Sequence, residues 1–182
     1  SAHKIYGPKG VGALFVRRSI RDKIVPIIQG GGQEQGLRPG TLATHQIAGL
    51  GAAAELAAKR SEADLELARE LSDCFLAAIS DVPDWVCNGD QSSRLANILI
   101  FSFLGADASA LLLALPDLSL STSSACSSGT VEPSHVLRAM GIEEDRLYGA
   151  VRVSFGRYST LSDIDYAAMR TKEELERLRA LS

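Results

Sequence analysis

Five glycines and one proline fall within Gln29–Thr41, read Gln-Gly-Gly-Gly-Gln-Glu-Gln-Gly-Leu-Arg-Pro-Gly-Thr, and neither a helix nor a paired strand tolerates that density. The tract is therefore a loop that the elements on either side must be arranged around. A glycine-rich loop leading into a helix can present backbone N–H groups to an anion, and Thr41 adds a hydroxyl. Arg38, Gly40 and Thr41 lie just before the next helix, where a phosphate is well served; a flexible linker is the plainer alternative. The loop is not a Walker loop, because no Gly-Lys-Ser/Thr closes it.

Around this loop the hydrophobic pattern alternates between helix and strand. Gly10–Arg17 (Gly-Val-Gly-Ala-Leu-Phe-Val-Arg) predicts a buried strand. The basic cluster Arg17, Arg18, Arg21 and Lys23 fits a solvated turn or a short helix start. Ile47, Leu50, Ala54 and Ala58 recur at helical spacing, and the many alanines predict close packing on a neighbour. Ser61 followed by Asp64 suggests a new N-terminus, with a second helix through Leu67, Leu71, Cys74, Phe75 and Ala78 that Pro83 stops. The join near Lys59–Ser61 sets the expected domain boundary, giving segments 1–60 and 61–182. Leu95–Phe103 predicts a strand, Asp107 a cap for a helix to about Leu115, and Leu118–Ser121 a short strand. Pro133 suits the first turn of a helix ending before Gly141. Val151–Phe155 alternates as a half-buried strand carrying Arg152, and Ser162 or Thr160 caps a last helix. The chain is expected to be α/β overall, its second part closer to α+β.

Composition narrows the function classes. A formal charge of −3 leaves no basic footprint for nucleic acid or an anionic membrane. The longest apolar run, Leu111–Leu115, is far too short to span a bilayer. Three cysteines, Cys74, Cys87 and Cys126, make an odd number without Cys-x-x-Cys spacing. That argues against a disulfide framework or a zinc site and for a reducing compartment, so a cytoplasmic location is expected. Cys74 falls on an apolar helix face as a small core residue, and Cys87 sits beside turn chemistry as an incidental thiol.

Three places carry chemistry. Lys4 stands between a small polar entry and the turn Gly7-Pro8-Lys9-Gly10, where short side chains allow close approach to a group bound at the lysine; a surface lysine at a turn is the bland alternative. Cys126 lies in a run of serines, surroundings too polar for burial, where an accessible thiol suits sulfur chemistry. Arg152 has apolar neighbours on both sides, and a partly buried guanidinium needs an anionic partner: a bound carboxylate or one of the chain's 22 acidic residues.

Taken together, Ser1–Gly10, Gly30–Glu34 with Arg38–Thr41, Ser123-Ser124-Ala125-Cys126-Ser127, Glu132–Arg138 and Val151–Arg157 resemble the C-terminal half of a cysteine desulfurase. That is the NifS/IscS-type branch of the class V aminotransferase family, of pyridoxal-phosphate (PLP) fold type I. The cysteine context resembles the group with a long, mobile cysteine loop. The resemblance implies that residues 1–60 are the C-terminal part of a PLP-binding large domain and 61–182 a small α+β domain carrying the cysteine loop. It implies that Lys4 holds pyridoxal 5′-phosphate and then carries protons, that Ser1 and His3 contact its phosphate, and that Thr41 reaches the phosphate from the neighbouring subunit of a homodimer. It implies further that Arg152 clamps the carboxylate of L-cysteine. Cys126 then takes the sulfur as a persulfide and passes it to an acceptor such as an iron–sulfur scaffold protein, leaving L-alanine. No metal is called for.

The chain opens directly on its most informative motif, so an upstream half is expected to be missing. By the resemblance that half carries the ring-stacking histidine, the aspartate that pairs with the pyridine nitrogen and the main phosphate loop. The chain alone is then expected to bind PLP poorly and to turn over little or nothing, and segment 1–60 to expose apolar surface. A selenocysteine lyase, another class V aminotransferase, and a non-catalytic module that binds a sulfur acceptor remain as alternatives.

Overall fold

A computed structural model describes residues 1–122 and 133–181. The chain divides into two compact units, Ser1–Glu62 and Ala63–Ser182.

The first unit is built of turns and the start of a long helix. It contains 3-10 turns at Ala2–Ile5, Arg18–Lys23 and Gln33–Gly36, followed by the first part of helix α1, Thr44–Ala78. The strand expected over Gly10–Arg17 does not form: the segment is irregular, with Leu14 81% and Phe15 87% exposed. A strand needs a hydrogen-bonded neighbour, and among the described residues the segment's backbone bonds are isolated ones, from the Ala2 N–H to the Val11 carbonyl and from the Ile20 N–H to the Arg17 carbonyl.

The two expected helices over 45–78 are one. Ser61 does not cap a new N-terminus; its Oγ donates to the Ala58 carbonyl one turn back, which leaves the helix intact. Lys59 pairs with Glu55 one turn earlier, and no proline or glycine interrupts the helix beyond Gly51. The inward face of the first part also differs from expectation. Gln46, Gly49, Ala53 and Ala57 are buried or half-buried, whereas Ile47, Ala54 and Ala58 are exposed. Small side chains set this face because the segment around Pro8 lies directly on it.

The second unit centres on a four-stranded antiparallel sheet in the order β1-β2-β4-β3, with β1 at Trp85–Cys87, β2 at Ile98–Phe103, β3 at Ser121–Thr122 and β4 at Ala150–Ser154. Period-2 alternation divides β2 into a core face, Leu99, Phe101 and Phe103, and a second face, Ile100 and Ser102. Leu71 and Phe75 of α1, and Ile79 just beyond its end, pack on the core face. So do Leu111 and Leu115 at the end of α2 (Ala108–Ala114), and Ile164, Ala168 and Leu175 of α5 (Leu161–Arg179). Each fully buried large apolar side chain contributes about 1.5–3 kcal/mol, and the rings of Phe75, Phe101, Trp85 and Phe155 meet at centroid distances of 5.5–5.9 Å. Leu137 of α3 (His135–Ala139) and Leu147 of α4 (Glu144–Tyr148) cluster with Ala150 and Ile100 on the second face.

The caps expected at Asp107 and Thr160 form. Asp107 accepts from the Ala110 N–H, and Thr160 and Asp163 make a reciprocal capping box at the start of α5. The N-cap of α3 is Ser134, one residue beyond Pro133. The strand expected from Leu95 begins at Ile98, and the one expected over Leu118–Ser121 is confined to Ser121–Thr122. Cys87 is the last residue of strand β1, directly beside the Asn88-Gly89-Asp90 segment, as expected. Cys74 is half-buried against the core, as expected.

Candidate functional site

The lysine turn has a simple internal logic. In a 3-10 turn the side chains at i and i+3 eclipse one another. Ala2 and Ile5 form the inward pair, with Ala2 fully buried and Ile5 half-buried, while Ser1 and Lys4 form the outward pair, both exposed. The Lys4 N–H donates to the Ser1 carbonyl at 3.2 Å, so these two residues are held one above the other. His3 is exposed beside them. Among the described residues, neither Lys4 Nζ nor the His3 ring has a hydrogen-bond or ion-pair partner.

What fixes the turn is α1. Tyr6 takes a left-handed conformation (φ 66°, ψ 17°), and the Gly7 N–H closes the turn on the Ala2 carbonyl at 2.8 Å. A Cβ on Gly7 would fall 2.9 Å from Ala2 Cβ and 3.1 Å from Ala53 Cβ, so only glycine fits. A Cβ on Gly49 would lie 3.0 Å from the Pro8 ring. Gln46 Nε2 donates to the Lys9 carbonyl at 2.9 Å. Gln46, Gly49 and Ala53 therefore grip the turn from one helix face at i, i+3 and i+7 spacing. None of the three stands out from the sequence as a site residue; the spacing of the small Gly49 and Ala53 along α1 is the signal that could have found two of them.

The glycine loop closes on itself. Gln33 Oε1 accepts the Gly40 N–H at 3.1 Å, and Arg38 Nη1 donates to the Pro39 carbonyl at 2.9 Å. The Gly40 N–H is thus not presented to an anion, as the loop's composition had suggested. Glu34 (φ 51°) and Gln35 (φ 59°) are both left-handed, and Arg21 Nη1 donates to Gln35 Oε1, which ties the basic cluster to the loop. Thr41 follows Gly40 exposed, and its hydroxyl has no partner among the described residues.

Arg152 lies in the second unit, on β4, opposite Ile100 and Ser121. It is exposed and not partly buried, because strand alternation turns it away from the Val151–Val153 face. Its Nη2 donates to Ser121 Oγ at 3.4 Å, and it makes no ion pair with the described residues. The part-buried ion pair belongs instead to Arg157, whose Nε donates to Asp64 Oδ1 at 3.2 Å while its Nη2 donates to Oδ2, in a fork–fork geometry. Cys126 lies outside the described residues. Of the two described thiols, Cys87 is shifted: burial pushes it up, against the opposing pull of Gln91 and Arg94.

The structure thus brings Ser1, His3 and Lys4 together on one turn. Thr41 stands on a separate loop of the same unit, and Arg152 belongs to the other unit. No helix among the described residues is long and apolar enough to cross a membrane.

Comparison with known proteins matches residues 1–167 to the family Aminotransferase class-V. The cysteine desulfurase IscS of Acinetobacter baumannii (strain AYE) is 47% identical over 182 residues, covering 100% of this chain and 45% of that protein. The protein of the same name from Pseudomonas putida (strain GB-1) is 44% identical with the same coverage. Among solved structures, a NifS-like protein superposes with a TM-score of 0.86 at 31% identity, over 97% of this chain and 45% of that one. DndA from Streptomyces lividans does so at 0.67 and 38% identity, over 86% and 45%. The chain spans less than half the length of the curated relatives it matches.

Proposed function

The chain belongs to the aminotransferase class-V family, and from that premise we propose that it forms part of a pyridoxal 5′-phosphate-dependent cysteine desulfurase. The reaction takes L-cysteine and the Cys126 thiol to L-alanine and a Cys126 persulfide. One C–S bond breaks, one S–S bond forms, and the sulfur then passes to an acceptor protein of iron–sulfur scaffold type. Residues 1–60 serve as part of the PLP-binding domain, and 61–182 as a smaller α+β domain. The exposed Leu14, Phe15, Val25 and Ile27 supply apolar surface for the remainder of the PLP-binding domain. The unpaired thiols Cys74 and Cys87 suit a reducing compartment, and the reading places the protein in the cytoplasm.

The observation that carries this reading is the division of the first turn. Lys4, whose amine has no partner among the described residues, shares one exposed turn with Ser1 and His3, and Gly7, Gly49 and Ala53 fix that turn in place. This donor set fits an aldehyde that carries a phosphate. When bound, the cofactor supplies the electron sink that weakens the substrate's C–S bond. Lys4 Nζ binds the cofactor's aldehyde carbon and then holds and returns the substrate's proton. Ser1 Oγ and the His3 ring bind the phosphate. Thr41 Oγ1 binds the phosphate held by a neighbouring copy, which makes the functional unit a homodimer. The exposed Arg152 guanidinium takes the substrate carboxylate in bidentate fashion, with Ser121 Oγ beside it.

The test is sulfide release by this chain complemented with the upstream segment of the Acinetobacter relative. C126A is expected to release none from L-cysteine while keeping the cofactor's absorbance. Persistent sulfide release from C126A would reject the role given to that thiol.

A further inference from the structure

Thr41 Oγ1 can bind a phosphate only if its loop holds it still, yet the hydroxyl has no protein partner among the described residues and the loop around it is rich in glycine. Two features of the loop meet at one side chain. Gln33 Oε1 accepts the N–H of Gly40, the residue immediately before Thr41, at 3.1 Å. Gly31 makes room for that same amide: a Cβ there would stand 2.5 Å from Gln33 Oε1 and 3.2 Å from its Cδ. Gly40 itself has φ +101°, so its peptide planes are set by the hydrogen bond and not by steric preference. The latch joins residues seven apart, from Gln33 at the start of the 3-10 turn to Gly40, directly before the threonine.

We propose that Gln33 is a positioning residue that fixes Thr41 for phosphate binding by holding the Gly40 N–H. The inference rests on the reading of Thr41 as a phosphate contact and adds the element that orients it. It separates the roles of neighbouring residues. Gly31 is needed for space, Gln33 for its acceptor oxygen, and Thr41 for its hydroxyl.

The experiment compares trapping of the full chain, complemented with the upstream segment of the Acinetobacter relative, by borohydride with two aldehydes, pyridoxal 5′-phosphate and pyridoxal, which differ only in the phosphate. It is run on wild type, Q33A, Q33E, G31A and T41A, alongside hydrogen exchange of the Gly40 amide. G31A is the cleaner probe, because the added methyl meets only the far end of a flexible side chain and displaces the latch without burdening the fold. In Q33A and G31A the Gly40 amide is expected to exchange about three- to tenfold faster, the range one neutral hydrogen bond commands. The pyridoxal 5′-phosphate concentration for half-trapping of Lys4 rises by a similar factor, with no change for pyridoxal. Q33E keeps the acceptor oxygen and restores slow exchange. T41A lowers the phosphate preference without altering exchange at Gly40.

Equal effects on both aldehydes, or an unchanged phosphate preference in Q33A and G31A, overturn the positioning role while leaving Thr41 as a phosphate contact. A wild type that shows no preference for the phosphorylated aldehyde removes the phosphate reading, and the inference with it.

Discussion

Gly7, at the close of the lysine turn, and Ala53, on α1, approach so closely that a methyl group added to the glycine would stand 3.1 Å from the alanine's Cβ. The same methyl would meet the Ala2 side chain at 2.9 Å and the Ala2 carbonyl oxygen at 3.0 Å. Neither Ala2 atom can move without opening the turn, because the Gly7 N–H is bonded to that oxygen. G7A should therefore destabilise the turn by about 1–3 kcal/mol, the usual cost of overpacking. A urea titration measures the loss, and faster tryptic cleavage after Lys4 reports that the turn is the part that opens.

The Asp64–Arg157 pair is the one to remove in the second unit. Arg157 Nη2 and Asp64 Oδ2 are in ion-pair contact, with side-chain exposures of 9% and 26%. D64A removes the carboxylate that Arg157 Nε and Nη2 meet and should cost about 1.5–3 kcal/mol, the worth of hydrogen bonds to a charged group. The double variant D64A/R157A should cost less than the two single losses added together, because the residues act as a unit. Chemical denaturation of the three variants checks both statements.

The caps at Asp107 and Thr160 and the two central strands were legible in the sequence, whereas individual tertiary contacts were not. Asp107, Thr160 and Asp163 cap their helices because the bonds involved span three residues. The apolar runs that became β2 and β4 were legible because both lie in one sheet and pair with each other. Gly10–Arg17 carries an equally apolar run, but pairing depends on a neighbour that sequence periodicity cannot see, and the segment stays irregular in its unit. The Ser61–Asp64 spacing matched a helix start, yet with no proline or glycine nearby the preceding helix simply continues. At the candidate site, the position of Lys4 beside a tight turn was legible. The grip of Gln46, Gly49 and Ala53 on that turn was not, nor was the Gln33–Gly40 bond, because each joins residues through tertiary contact.

Cys87 is expected to be a slow thiol. Burial raises its pKa, so less of it is thiolate at mildly alkaline pH than in a free cysteine. Iodoacetamide at pH 8, followed by peptide mass spectrometry over time, should label Cys87 more slowly than a cysteine in an unstructured peptide. Labelling at the peptide's rate would mean that the strand edge is open to solvent.

Asp90 sets an acid limit for its turn. Its carboxylate accepts from the hydroxyl of Ser93, then from the hydroxyl and N–H of Ser92, which lowers its pKa from 3.8 to about 2. The pKa is depressed in the folded chain, so the contribution to stability is fully present above the ordinary carboxylate value. It is lost as pH falls through the folded one, a window of roughly pH 4 to 2. Carbon-detected NMR titration should show Asp90 still ionised at pH 3, and S93A should move its midpoint upward.

The central claim is that Lys4 is the cofactor lysine, and borohydride reduction in the presence of pyridoxal 5′-phosphate followed by peptide mass mapping tests it most directly. The measurement is made on the full chain, alone and complemented with the upstream segment of the Acinetobacter relative. The account predicts a pyridoxyl adduct on Lys4 well above any on Lys9, Lys23 or Lys59, strengthened by complementation. Adducts spread evenly over these lysines, or none at Lys4 in either preparation, would contradict it.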